Sequence, residues 1–284
     1  MPRTQEEKAG LFRALHERTG AFVIPNPWDA GSARILESLG FEALATTSAG
    51  IAFSLGRRDG EGAVSRDEAL AVTRRIVDAT DLPVSGDLEN GYGGEPETAA
   101  QTVRLAAEAG LVGGSIEDAT GDPRRPIYEL DHATERIAAA AEAARSLPFP
   151  FLLTARAENF LHGRPDLEDT VRRLQAFEAA GADVLYAPGL RDLEMVRAVC
   201  SAVSRPVNVL MGLTGGSFSV EELAEAGARR ISVGGSLSRA ALGGFIRAAR
   251  EIRERGTFTY LSEAVPHAEV NLLMAGRETG QGDS

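Results

Sequence analysis

Cysteine is nearly absent: Cys200 is the only one in 284 residues, which excludes an intrachain disulfide and a thiolate metal cluster. That usage fits a reducing compartment, and a cytoplasmic location is expected. No stretch approaches the roughly 18 uninterrupted apolar residues of a membrane span. The opening MPRTQEEKAGLF also lacks the apolar core of a secretory signal, so a soluble protein with no membrane partner is expected. Basic residues are in deficit, with 30 Lys and Arg against 41 Asp and Glu, a net charge of -11 and no dense basic stripe. Nucleic acid is therefore not an expected partner. A small anionic substrate is compatible, because a bound metal and one or two arginines can reverse the local field in a cleft.

At 43% hydrophobic and 25% charged, the chain can bury a large core, and no shift in composition marks a domain boundary. A cadence runs along it. LESLGFEALATT, AEAGLVGGSIED, FEAAGADVLYAP and AEAGARRISVGG each join a helix tail to an apolar strand through a glycine: Gly40, Gly110, Gly181 and Gly227. Each glycine reads as a left-handed helix C-terminal cap. DLPVSGD, LPFPFLLTAR and SRPVNVLMG open strands at or just after Pro83, Pro150 and Pro206, where a missing N–H is tolerated. With AFVIPNP, eight strands are expected, beginning near Phe22, Glu42, Val84, Val112, Phe151, Asp183, Val207 and Arg230. Alternation with helices predicts a single (β/α)8 TIM barrel spanning 1–284. An open doubly wound sheet fits the alternation but not the eight even spacings. SRDEALAVTRRIVDAT carries a capping box, Ser65 with Glu68, and SLSRAALGGFIRAAREIRERG opens on Ser236 or Ser238. A C-terminal helical extension from about 258 and a frayed polar tail from about 276 complete the expected layout.

The densest chemistry lies in PVSGDLENGYGG, Pro83–Gly94, where an apolar strand ends in Asp87 and Glu89 before a glycine-rich turn. Two residues apart, these acids share one face if the chain stays extended. LVGGSIEDAT ends likewise in Glu117 and Asp118. Acids on neighbouring strand ends suit Mg2+, which takes one or two carboxylates directly and keeps waters held by others; helix capping or solvent exposure would explain any single one of them. In a barrel the reactive residues collect at the strand C-termini. Those ends supply Asn26 and Asp29, then Thr47, Ser48, Ala49 and Gly50, then the four acids, Arg156 and Glu158, Tyr186, Asn208, and Gly234–Gly235. Arg156 could grip a carboxylate bidentately or form a rim ion pair with one of the same acids.

SAGIAFSLGRRD, GDLENGYG, SIED and TARAEN together make the chain resemble the isocitrate lyase and phosphoenolpyruvate mutase superfamily over about residues 20–240. The resemblance implies that Asp87 binds Mg2+ (or Mn2+) while Asp59, Glu89 and Glu117 hold its waters. It further implies that Ser48, Ala49 and Gly50 offer backbone N–H groups to the substrate carboxylate, with Arg156 opposite. Arg156 and Asp59 are then the catalytic candidates, and Tyr186 and Asn208 join the substrate-binding set. A dimer or tetramer is also implied, with the helix after the eighth strand exchanged between subunits; Leu237–Arg250 is apolar on one face, as such a contact would need.

The lyase loop of the Lys-Lys-Cys-Gly-His type is missing. After Glu117 the chain reads DATGDPRRPIYELD, of which Asp118–Tyr128 is a candidate lid, and Cys200 lies in a helix, where a buried structural cysteine is the ordinary role. The mutase loop with its lysine and asparagine is absent too, and His132 and His162 read as solvated. Family chemistry starts with a 2-oxo acid chelating Mg2+, so that breaking a bond at C3 leaves a metal-stabilised enolate. Loss of CO2 from oxaloacetate needs no protein base to begin, which suits this chain. Cleavage of a C–P bond in phosphonopyruvate, C–C cleavage of an alkylmalate and noncatalytic binding of 2-oxo acids remain as alternatives. A phosphate site at Gly234–Gly235 competes with a plain tight turn.

Overall fold

The computed structural model describes residues 2–213 and 216–275. Eight strands, β1 (Phe22–Ile24), β2 (Leu44–Ala45), β3 (Val84–Asp87), β4 (Gly113–Glu117), β5 (Leu152–Arg156), β6 (Val184–Tyr186), β7 (Val207–Leu210) and β8 (Arg230–Ser232), form one parallel sheet. Its order runs β1-β8-β7-β6-β5-β4-β3-β2, and at the seam Ala45 N–H donates to Pro25 O at 3.1 Å. The result is a nearly closed (β/α)8 barrel rather than an open doubly wound sheet.

The helices are α1 (Gln5–Glu17), α2 (Ala30–Ser38), α3 (Ser48–Ser54), α4 (Arg66–Asp78), α5 (Pro96–Glu108) and α6 (Leu130–Arg145), followed by α7 (Leu167–Ala179), α8 (Leu193–Ala202), α9 (Val220–Glu225), α10 (Ser236–Arg255) and α11 (His267–Met274). The four cadence glycines all have φ between 87° and 105°. Each follows a helix C-cap, a place where a side chain would be strained and glycine is not. The Ser65–Glu68 capping box forms at the start of α4. α10 opens on Ser236 behind an N-cap at Gly235, and α11 packs against α2. The tail expected from about 276 lies outside the described residues. Among the described residues no helix is long and apolar enough to cross a membrane.

Apolar packing lies chiefly between sheet and helices, with Leu153, Leu174, Phe177 and Leu185 in one large cluster. α1 closes the barrel floor: Ala9, Phe12 and Leu15 pack with Phe22, Val112 and Leu152 around the strand starts. The barrel interior is polar by contrast. Thr46, Ser85, Thr154, Asn208 and Arg230 are all buried, and Arg230, Asn208, Thr154 and Ser232 are joined by hydrogen bonds, so the centre of this barrel is not filled by apolar layers alone.

Candidate active site

β3 delivers Asp87 to the rim, where three protein groups fix it. Arg156 Nη1 donates to Oδ1 at 2.9 Å and Ser48 N–H donates to Oδ2 at 2.9 Å. Asp87 N–H donates to Thr46 Oγ1 at 2.8 Å. Past the strand the chain turns sharply, with Glu89 at φ 48° and Tyr92 at φ 60°. Left-handed backbone at residues other than glycine costs on the order of 1–3 kcal/mol each and needs outside support. Buried Arg136 on α6 supplies it: the guanidinium donates to the carbonyls of Asn90, Gly93 and Glu117 and stacks 4.5 Å from the Tyr128 ring centroid.

Arg156, at the end of β5, is surrounded by acids. Its guanidinium lies 2.9 Å from Asp87, 3.1 Å from Glu117 and 2.8 Å from Glu158. The rim ion pair is thus realised three times over, while the same side chain still lines the cavity. Glu158 is 2% exposed. Two positions beyond Arg156 in sequence, it belongs to the site, although the motif resemblance did not single it out.

Asp59, at the exposed rim, completes the acidic set. Crowding by protein atoms and the nearby Asp87 raise its pKa, against hydrogen bonds from the Ser48 hydroxyl and Gly60 N–H. Burial, then Asp87 and Asp59, push Glu89 up to about 7. Burial also holds Glu117 well above the carboxylate range despite Arg156. Five carboxylates (Asp59, Asp87, Glu89, Glu117 and Glu158) thus face one guanidinium, a local excess of negative charge that a cation would relieve. Among the described residues no three His, Cys, Asp or Glu converge tightly enough to ligate one ion by themselves. An oxygen-only donor set with few direct contacts fits Mg2+, which keeps much of its water.

Asp118 departs from this group. Its Oδ2 pairs with Arg173 at 3.0 Å and its Oδ1 accepts from Glu158 N–H at 2.8 Å, and burial raises its pKa to about 6. It locks β4, β5 and α7 together. Asp29 caps α2 through Ser32 N–H. The N–H groups of Val233 and Gly234 both donate to Asn26 Oδ1 just past β1, so this turn is tied to the start of the barrel.

Ser48–Gly50 form the first turn of α3, capped by Thr47. Ser48 N–H is committed to Asp87, and Gly50 N–H points to Thr47 Oγ1 at 3.4 Å, which leaves Ala49 N–H for a ligand. A Cβ at Gly50 would stand 2.7 Å from Thr47 Cγ2 and Trp28 Cβ, so that glycine serves close packing. Ser48, Ala49, Tyr186 and Asn208 line an inner cavity of about 170 Å3 beneath the acids. Ser48, Asp59, Glu89, Glu117 and Arg156 line an open outer cleft of about 910 Å3. His162 lies exposed on that cleft, and His132 Nε2 lies 2.9 Å from Gly94 O. Cys200 is half-buried on α8, its thiol pushed up to about 11 by burial.

Comparison with known proteins agrees with this geometry. The family model described as phosphoenolpyruvate phosphomutase matches residues 12–253. A solved protein from Burkholderia cenocepacia J2315, described as a lyase/mutase, is 60% identical over 96% of this chain and 98% of its own, with a TM-score of 0.94. A 2-methylisocitrate lyase of Shewanella oneidensis is 30% identical over 231 residues, 78% of this chain and 77% of its own. Oxaloacetate acetylhydrolase, solved in complex with the product oxalate, is 26% identical over 96% of this chain and 95% of its own, with a TM-score of 0.86.

Proposed function

Because this chain belongs to the isocitrate lyase and phosphoenolpyruvate mutase superfamily, we propose that it is a Mg2+-dependent carbon–carbon lyase acting on a small 2-oxo dicarboxylate, with oxaloacetate decarboxylation as the leading reaction. The observation that carries this reading is the carboxylate cluster around Arg156 above a small polar cavity, with no cysteine or lysine in the segment after Glu117. Asp87 is the first candidate to hold the ion, and Asp59, Glu89 and Glu117 would orient its waters. When bound, the metal supplies a Lewis acid that polarises the C2 carbonyl and stabilises enolate charge.

The protein groups have separable duties. Arg156 keeps three carboxylates aligned and adds positive charge beside the developing oxyanion. Ala49 N–H, in the first turn of α3, is free to donate to a substrate carboxylate. Tyr186 and Asn208 shape the inner wall, and burial keeps the Tyr186 phenol protonated as a donor. The relationship to oxaloacetate acetylhydrolase supports a four-carbon 2-oxo diacid as the substrate class.

A panel of oxaloacetate, phosphonopyruvate, alkylmalates and 2-methylisocitrate, assayed for pyruvate release with and without Mg2+, tests the proposal. Oxaloacetate should yield pyruvate only with the metal, at a rate above the metal-catalysed background. Mg2+-dependent binding with no pyruvate, oxalate or phosphoenolpyruvate formed from any compound would make the chain a binder instead.

A further inference from the structure

The inner cavity has a charged floor that the acidic rim does not explain. Arg230, the first residue of β8, is 5% exposed and lines the same 170 Å3 cavity. Its partners are all neutral. Nε donates to Asn208 Oδ1 at 2.9 Å, Nη2 to Thr154 Oγ1 at 2.9 Å, and Nη1 lies 3.4 Å from His16 Nε2. His16 Nδ1 lies 2.8 Å from Phe12 O, so Nδ1 carries the proton and Nε2 is an acceptor. Burial and the Arg230 charge hold this imidazole neutral, its pKa lowered to about 3.

Guanidinium carries five N–H donors and stays charged in proteins. One N–H on each of Nη1 and Nη2 therefore has no protein acceptor among the described residues. Nor does any carboxylate there lie within ion-pair distance of Arg230, whereas buried Arg173 has Asp118 and Asp169 and buried Arg136 has three carbonyls. An ion taken from water without a counter-charge is costly to bury even after relaxation. The same cavity is lined by Ser85, Ser115 and Ser232, hydroxyls that can donate to an oxyanion.

We propose that Arg230 makes the barrel interior a binding site for one small carboxylate-sized anion, held by its two free N–H groups with serine hydroxyls around it. The anion comes either from the far end of a dicarboxylate substrate or from a free small anion beneath it. Only the first source rests on the reaction proposed above.

Metal-free protein is titrated with sodium formate at constant ionic strength, with a bulky sulfonate as the control anion, and the melting temperature is read. Wild type should show a saturable rise with formate and none with sulfonate. Arg230→Met should lose at least tenfold in formate affinity, and Arg104→Met, on the exposed face of α5 and outside both cavities, should keep it. Crystals of wild-type protein soaked in bromide should show anomalous density against Arg230, a reading that does not depend on the variant folding. Equal formate responses in wild type and Arg230→Met, or no bromide in the cavity, would overturn the proposal. Expulsion of formate by oxaloacetate with Mg2+ would identify the substrate as the source, and simultaneous binding would identify a free anion. Neither result requires turnover.

Discussion

Glu89 combines a left-handed backbone with a carboxyl that its neighbours discourage from ionising. In the unfolded chain it titrates near 4.5 and in the metal-free fold near 7, so between those values the fold holds a proton that the unfolded chain releases. The slope of unfolding free energy with pH follows protons bound by the unfolded state minus those bound by the fold. That difference is negative here, so stability falls as pH rises through the window, by on the order of 2–3 kcal/mol for this residue. Urea unfolding of metal-free protein at pH 5 and pH 8 should show the loss, Glu89→Gln should reduce it, and Mg2+ should restore stability at pH 8. An unchanged pH slope in Glu89→Gln would mean that the charge is relieved elsewhere. Asp87, Glu89, Glu117 and Arg156 are legible from sequence because they stand at or just past the ends of short apolar runs, and strand ends are where a barrel collects its chemistry, whereas Asp59 lies in the loop after α3 and is reached only through the family resemblance. Arg136 and Arg230 are not legible. Arg136 stands in the alanine-rich run RIAAAAEAAR and resembles a surface charge. Arg230 forms half of a doublet in which Arg229 turns out to the carbonyls of Arg18 and Gly20 and Arg230 turns in, a difference set by strand period and burial.

At the scale of elements, the segment after Glu117 is a short hairpin and not a shapeless loop. Ala119 bridges Ile127, Tyr128 N–H donates to Asp118 O at 2.8 Å, and Thr120 N–H donates to Pro126 O at 3.0 Å. Its base is anchored by the Asp118–Arg173 pair and its strand side lines the outer cleft through Ala119, Thr120 and Gly121. Among the described residues exposed Arg124 at the tip pairs only with Asp122, so few buried contacts hold the tip in place, and such elements open at low cost. Amide exchange at residues 120–126 should slow at least several-fold when Mg2+ and oxalate are added together, with little change at 152–156; equal exchange with and without them would rule out a closing lid. The eight strands are legible in advance because glycine caps and proline entries punctuate them, and the widest gap is at β2, Glu42 expected against Leu44 found. α1 and α3 are less so. α1 acts through its packing under the barrel, and SAGIAFS becomes helical through the Thr47 cap and the tight fit of Gly50 against Trp28.

At the scale of the molecule, α10 is little covered by its own chain among the described residues. Over its 20 residues, a length of about 30 Å, only Ser238 is buried. Leu242, Phe245, Ile246 and Ile252 are exposed, Phe245 by 70%. Between α10 and α3 runs an apolar groove of about 200 Å3 bordered by Trp28, Phe53, Leu242 and Phe245, while α11 folds back onto α2 and leaves α10 uncovered. An amphipathic helix with its apolar stripe in water wastes the burial that normally stabilises it. Exchange of α10 between two copies would seat each stripe on a neighbour and, by two-fold symmetry, bury the same surface twice. Light scattering at micromolar concentration should therefore report a dimer or a tetramer. Phe245→Glu should shift that population toward monomer, because a carboxylate in an apolar interface is left desolvated and unpaired, while far-UV circular dichroism stays that of a folded barrel. A wild-type monomer, or a Phe245→Glu protein that assembles like wild type, would place the covering of α10 within a single chain.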